Sequence, residues 1–256
     1  MSGQSKTRAR GMGRQAPMNT SETAGMTPEQ AMKFTEAERL ISQWRYIGKR
    51  ASELLYEARA DIKGIDWFDH RHHLLNPPVE FTDFWTASGD NAMSRIPIGG
   101  TVLDLCCGDG FYDYHFYRQR AERIVGVDIS ERAIALAQRE HSAPNIEYIV
   151  GDICDILIWP FGGMYDVIIC RGAIEHFDEE QQIGIFSKAW GALKDGGWFC
   201  GDTVTPIGEN EAHKHEWKNE NEMRAALGKV FDYVETHTLV SRERTTLFWS
   251  CKAKER

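Results

Sequence analysis

Thr101-Val-Leu-Asp-Leu-Cys-Cys-Gly-Asp-Gly-Phe111 decides how this chain is read. Val102 to Leu105 is a short apolar run of the kind that forms a buried strand. It ends in a tight Cys-Cys-Gly-Asp-Gly turn and enters Phe111-Tyr-Asp-Tyr-His-Phe116, which predicts a helix start. Strand, glycine turn and helix bring backbone N–H groups close to a ligand, because glycine adopts conformations that a side chain blocks and a helix N-terminus leaves N–H groups unpaired. Eighteen residues past Gly110, a second apolar run, Ile124-Val-Gly-Val127, ends in Asp128. An acid at the end of a second strand can accept two hydrogen bonds from ribose hydroxyls.

The turn is not the dinucleotide fingerprint G-x-G-x-x-G, whose helix N–H groups face a pyrophosphate. The order here is Asp104-x-Cys106-x-Gly108-x-Gly110. A carboxylate at the strand end repels pyrophosphate and suits a ligand with an amino group. This stretch resembles motif I of the class I S-adenosylmethionine-dependent methyltransferases, (D/E)-x-G-x-G-x-G, with Cys106 in place of the first glycine. The resemblance runs from about Gly99 to Lys252. It implies S-adenosylmethionine as cofactor, held by Asp104, Cys106, Gly108 and Gly110 in the turn and by Asp128 and Ile129 after the second strand. In Gly151-Asp152-Ile153 it implies that Asp152 accepts from the adenine amino group and Ile153 packs on the ring. Tyr165 to Phe177 looks like motif IV and its loop, with Arg171 among the cofactor contacts. Leu193-Lys-Asp-Gly-Gly-Trp198 resembles the family's L-K-P-G-G turn, with Asp195 in place of proline.

Methyl transfer asks little of a protein. A sulfonium methyl is already electrophilic, so the site must align a nucleophile at about 3 Å, exclude water and in some cases take a proton. His176 is the candidate base, having a near-neutral intrinsic pKa and lying just beyond motif IV; the alternative is that it shapes the loop. His213, His215 and Trp217 belong to a segment that covers substrate in this family, and Trp67 and Trp85 to an aromatic stretch that closes over the site or packs a cap on the core. No metal is expected. The cysteines lack C-x-x-C spacing, His70, His72 and His73 have no completing carboxylate pattern, and no acidic pair with asparagine follows motif IV.

The chain has 256 residues, 42% of them hydrophobic, enough for one domain with an appendage and a real core. A net charge of −8 argues against broad non-specific nucleic-acid binding. No apolar run approaches the roughly twenty residues of a membrane span. The N-terminus lacks an apolar signal core, so a cytoplasmic protein is expected. Cys106, Cys107, Cys154, Cys170, Cys200 and Cys251 are expected to be reduced and mostly buried.

Residues 1–26 read as a disordered tail, whose basic Lys6, Arg8, Arg10 and Arg14 leave a nucleic-acid arm as an alternative. Residues 27–97 read as a helical and aromatic cap, opened by Thr27 as N-cap, Pro28 at the first helical position and Gln30 closing a capping box. Residues 98–256 read as the cofactor domain. Strands are expected at Thr101–Leu105, Arg123–Asp128, Ile146–Val150, Asp166–Cys170, Trp198–Asp202, Tyr233–Ser241 and Thr246–Lys252. Ser130, and Asp178 with Gln181, are expected to cap helices, and a further helix is expected from about Glu220 to Val230. The pattern predicts an α/β, Rossmann-like fold: a seven-stranded, mostly parallel sheet with helices on both faces and a C-terminal antiparallel hairpin.

Cys170-Arg-Gly-Ala173 stands where enzymes that methylate base amino groups carry (D/N)-P-P-(Y/F), and Asn76-Pro-Pro matches that string only out of place. An O or N atom of a small molecule is therefore the leading acceptor, without nucleic acid or membrane as partner. RNA or a protein side chain is the second reading. A nicotinamide oxidoreductase or a non-catalytic nucleotide-binding module is a third. The oligomeric state is left open.

Overall fold

Val102, Leu103 and Leu105 are completely buried, and the strand that carries them, β1 (Gly100–Leu105), is an interior strand of a seven-stranded sheet. In this computed structural model the described residues are 27–37, 39–40, 43, 82–155, 164–206, 212–240 and 245–252, with the side chains of 82–85 excepted. The chain divides into two units, Met1–Ala51 and Ser52–Arg256. In the first, residues 28–37 form a helix, α1. Its capping box is the expected one: Gln30 N donates to Thr27 Oγ1 at 3.3 Å and Thr27 N to Gln30 Oε1 at 2.8 Å. The expected tail, the three histidines, Trp67 and Asn76-Pro-Pro lie outside the described residues, as does the Trp85 side chain.

The described part of the second unit begins with α2 (Thr82–Met93). After β1 come β2 (Ala121–Asp128), α3 (Glu131–Glu140), β3 (Ile146–Val150), β4 (Tyr165–Arg171), α4 (Glu179–Ala192), β5 (Leu193–Val204), α5 (Glu220–Leu227), β6 (Tyr233–Val240) and β7 (Thr245–Lys252). The strand order is β3-β2-β1-β4-β5-β7-β6. The first five strands are parallel, and β7 runs antiparallel to both β5 and β6. The direction of winding reverses between β1 and β4, so the carboxyl ends of those strands frame the crevice where such sheets bind ligands.

Alternation along the strands builds two layers. Leu103, Leu105, Val125, Val127, Ile168 and Phe199 pack with Ile185, Phe186 and Leu227 from α4 and α5. Val102, Ile124, Val167 and Ile169 pack on the opposite face with Ala92, Tyr112 and Tyr117. Burying each such aliphatic side chain contributes about 1.5–3 kcal/mol. Ser130 caps α3, its side chain accepting from Ala133 N at 3.2 Å. Asp178 and Gln181 form the expected box at the start of α4.

Several elements differ from the sequence expectation, among them β5, which begins at Leu193 within the expected turn rather than at Trp198. α2 falls in a stretch that showed little periodicity. Among its residues with described side chains the buried face is Ser88, Gly89 and Ala92; Gly89 is needed there, because a Cβ would come within 2.4 Å of the Phe116 ring. The helix begun at Phe111 widens into a π-helical turn over Asp113–Tyr117. α5 stops at Leu227, three residues short of Val230, where Gly228 follows. Among the described residues no helix is long and apolar enough to cross a membrane.

Candidate functional site

The turn after β1 takes its shape from backbone angles. Cys106, Gly108 and Gly110 all have positive φ, at 59°, 59° and 70°. Cys106 is the only non-glycine residue so placed among the described residues, and the left-handed region costs a side chain about 1–2 kcal/mol. Neighbours hold the turn in place. Cys107 N donates to Val127 O at 3.1 Å, and Gly108 N to Asp128 Oδ2 at 2.9 Å. His141 Nδ1 lies 2.6 Å from Asp109 O; a carbonyl only accepts, so Nδ1 carries the proton. The Tyr148 hydroxyl lies 3.2 Å from Gly110 O, and a Cβ at Gly110 would stand 2.2 Å from that hydroxyl oxygen. His141 and Tyr148 show no local sequence pattern, and their part in the turn is visible only in three dimensions.

The acids sit at successive strand ends. Asp128 is buried and its two oxygens accept from Ser130 N at 2.8 Å and from Gly108 N. These bonds fix the aim of a group whose capacity is about four hydrogen bonds. Asp152 accepts from Cys154 N at 2.8 Å and closes the turn after β3. Ile129 is 40% exposed and Val150 43%, two large apolar side chains left open at the ends of β2 and β3; Val150 was not singled out in the sequence. Ile153, expected to lie on the adenine ring, packs into the core.

Asp104 faces the α2 side of the sheet, where Asp113 is also fully buried. Gly126 in β2 makes room for it: a Cβ there would meet Asp113 Oδ2 at 2.9 Å. Burial pushes the Asp104 carboxyl up to about 7, with Arg171 opposing and the charges of Asp128 and Asp202 adding. Burial, then the charge of Asp104, drives Asp113 well above the carboxylate range. Arg171, expected among the cofactor contacts, is engaged by neighbouring side chains. Its guanidinium lies 3.3 Å over the Tyr112 ring, and Nε donates to Ser88 Oγ at 2.7 Å and lies 3.5 Å from Asp202 Oδ2. Ser88 also donates to Asp202.

Beyond β4, a short helical turn, Ile174–His176, receives the segment from Ala212 to Trp217. Lys214 N donates to Glu175 O at 2.8 Å. Gln182 Nε2 lies within 3.2 Å of the Ile174, Phe177 and His215 carbonyls and ties the segments together. His176 Nδ1 lies 2.9 Å from Ala212 O, and His213 Nδ1 pairs with Glu216. The two rings meet edge to face, 5.0 Å between centroids. Glu175 is buried and accepts from Thr203 Oγ1 at 2.9 Å; burial raises its carboxyl, with the two histidines opposing. Glu175, His176 and His213 each place one potential ligand atom within 4.8 Å of the others. Trp217, expected to touch substrate, is a core residue, buried against Phe186 and Trp249. His215 is half-buried beside this group.

Residues 102–197, from the first strand to the glycine turn of β5, match a family model described as a methyltransferase domain. Over this stretch the chain is similar to methyltransferase domains. Over 145 residues it is 46% identical to a probable chemotaxis protein methyltransferase of Rhizobium etli, covering 44% of this chain and 51% of that one. Over 47 residues it is 43% identical to an N-demethylindolmycin N-methyltransferase of Streptomyces griseus, covering 18% and 20%. It thus spans from a fifth to about half the length of these relatives. The fold is shared with the N-methyltransferase NodS of Bradyrhizobium japonicum, crystallised with S-adenosyl-L-homocysteine: TM-score 0.57, 14% identity, 74% of this chain and 92% of that one covered. Within the matched residues, the glycine turn, Asp128, Asp152 and the Glu175–His176 turn lie at or just past the carboxyl ends of β1, β2, β3 and β4.

Proposed function

We propose that this chain transfers a methyl group from S-adenosylmethionine to an O or N atom of a small-molecule acceptor. The observation that carries the reading is the joint between turn and acid: Gly108 N is bonded to Asp128, so the left-handed turn and the carboxylate are held as one unit at the end of β1 and β2. The residues fit such a cofactor. Asp128 offers acceptors for hydroxyl groups, Ile129 and Val150 leave apolar surface beside it, and Asp104 sets an acidic group below the turn. A cationic amino group nearby would favour the ionised form of Asp104 against the burial that now raises it to about 7.

S-adenosylmethionine, when bound, supplies an electrophilic methyl carbon. Everything else falls to the chain. The turn limits how far the cofactor can move, Asp128 and Asp152 orient it, and the Glu175–His176 turn with His213 presents the acceptor side. Alignment is the main source of rate, since holding two reactants in line replaces a bimolecular encounter. The small-molecule reading is supported by Cys170-Arg-Gly-Ala173 in place of a base-gripping motif and by the net charge of −8.

Calorimetry tests the cofactor. S-adenosylhomocysteine should bind and NAD should not; the reverse result would turn the reading to an oxidoreductase. Asp128→Ala should weaken S-adenosylhomocysteine by about 1.5–3 kcal/mol, the scale of hydrogen bonds to a charged group, and unchanged affinity in the folded variant would remove Asp128 from the site. For the acceptor, labelled methyl donor in a host extract should place label in the small-molecule fraction. Label found only in protein or RNA would overturn that class.

A further inference from the structure

We propose that Glu175, His176 and His213 bind one divalent transition-metal ion beside the acceptor. The ligands come from two segments that only the fold unites: Glu175 and His176 stand on the turn after β4, while His213 lies on the segment that folds back over it. One potential ligand atom from each lies within 4.8 Å of the others. Two ligands about 2.1 Å from a shared ion are at most about 4.2 Å apart, so small side-chain rotations close the set.

Outer hydrogen bonds hold both histidine rings and the carboxylate. The Ala212 carbonyl and the Glu216 carboxylate engage Nδ1 of His176 and His213. Those bonds fix both ring orientations and leave the neutral-state lone pair on Nε2 of each ring, as the outer hydrogen bonds of metal-bound histidines do. Glu216 completes a carboxylate–histidine pair of the kind that raises ligand basicity. Thr203 Oγ1 orients Glu175, whose carboxylate is buried and gains from a cation close by. Two imidazoles and one carboxylate select zinc, cobalt, manganese or iron(II) over magnesium and calcium, and three protein ligands leave coordination positions open.

The sequence gives no expectation of a metal, since its cysteine and histidine spacings complete no ligand pattern; His176 and His213 are 37 residues apart. The role of the ion, unlike its binding, rests on the methyl-transfer reading. An acceptor oxygen on an open position would lose its proton to water more readily, and His176 would then be a ligand and not the base.

The full chain, stripped with chelator and dialysed, is titrated with Co²⁺ alone and followed by visible absorption. One equivalent should bind with the spectrum of nitrogen and oxygen ligands and raise the thermal unfolding midpoint. His176→Ala and His213→Ala should each weaken binding more than tenfold, and Glu216→Gln by about tenfold to a hundredfold. If His176→Ala does not fold, His213→Gln in the half-buried segment carries the comparison. Absence of binding, binding unaffected by His213→Gln, or a sulfur-to-cobalt charge-transfer band each overturns the site. S-adenosylhomocysteine titrated into the same samples separates the two readings. Its binding without Co²⁺ binding overturns the metal site alone, and Co²⁺ binding without it supports the site and overturns the role given to the ion.

Discussion

Cys106 holds a conformation that glycine adopts freely, with φ at 59° in the glycine turn after β1. Its side chain packs against the core, and burial pushes its thiol well above the ordinary range, so the sulfur is an inert filler rather than a nucleophile. Cys106→Gly removes about 1–2 kcal/mol of left-handed strain and restores about 0.5–1 kcal/mol of unfolded-chain entropy that the fold must overcome. The variant should therefore be more stable by about 0.5–1 kcal/mol in urea unfolding. A loss of stability would show that the packing of the thiol outweighs the strain. The substitution was plain in the sequence, but the strain was not, since φ follows from where the flanking hydrogen bonds pull the chain.

At the scale of elements, the joint between α2 and the sheet depends on polar groups. Ser88 from α2, Arg171 at the end of β4 and Asp202 in β5 form one buried set, with Tyr112 stacked on the guanidinium. Removing one partner of a buried pair leaves the other charge uncompensated, at a cost of about 3–5 kcal/mol. Arg171→Leu should lower stability by that order in urea unfolding, because Asp202 stays buried. A variant of full stability that has lost S-adenosylhomocysteine affinity would return Arg171 to the cofactor. The helix caps of α1, α3 and α4 were legible because a cap is a contact across three residues. α2 was not legible, because small and polar residues form its described buried face and its polar partners Arg171 and Asp202 lie more than eighty residues away.

The whole molecule carries an acid pair whose titration is set by burial. In the unfolded chain Asp104 has the ordinary value of 3.8; folded, it is raised to about 7. Between those values the folded protein keeps a proton that the unfolded chain has released. Raising the pH through this window therefore lowers stability: the contribution is fully present below about 4 and gone above about 7. Asp113 has the same sign and extends the loss to higher pH. Urea unfolding of wild type and Asp113→Asn from pH 5 to 8 should show the variant gaining on wild type as pH rises. Parallel curves would mean that Asp113 does not hold its proton in the folded protein across this range.

Local chemistry wrote the fold class into the sequence. Apolar runs of strand length, glycines after the first of them, acids closing the next two and capping residues before helices are patterns that neighbours along the chain enforce on one another, and the parallel order of βα units follows from them. The tertiary structure alone decided which side chains share an environment. Asp113 under Asp104, His141 and Tyr148 on the glycine turn, Trp217 in the core and His213 beside His176 are pairings between distant segments. Burial and packing set them, and neither has a signature at the spacing of single residues.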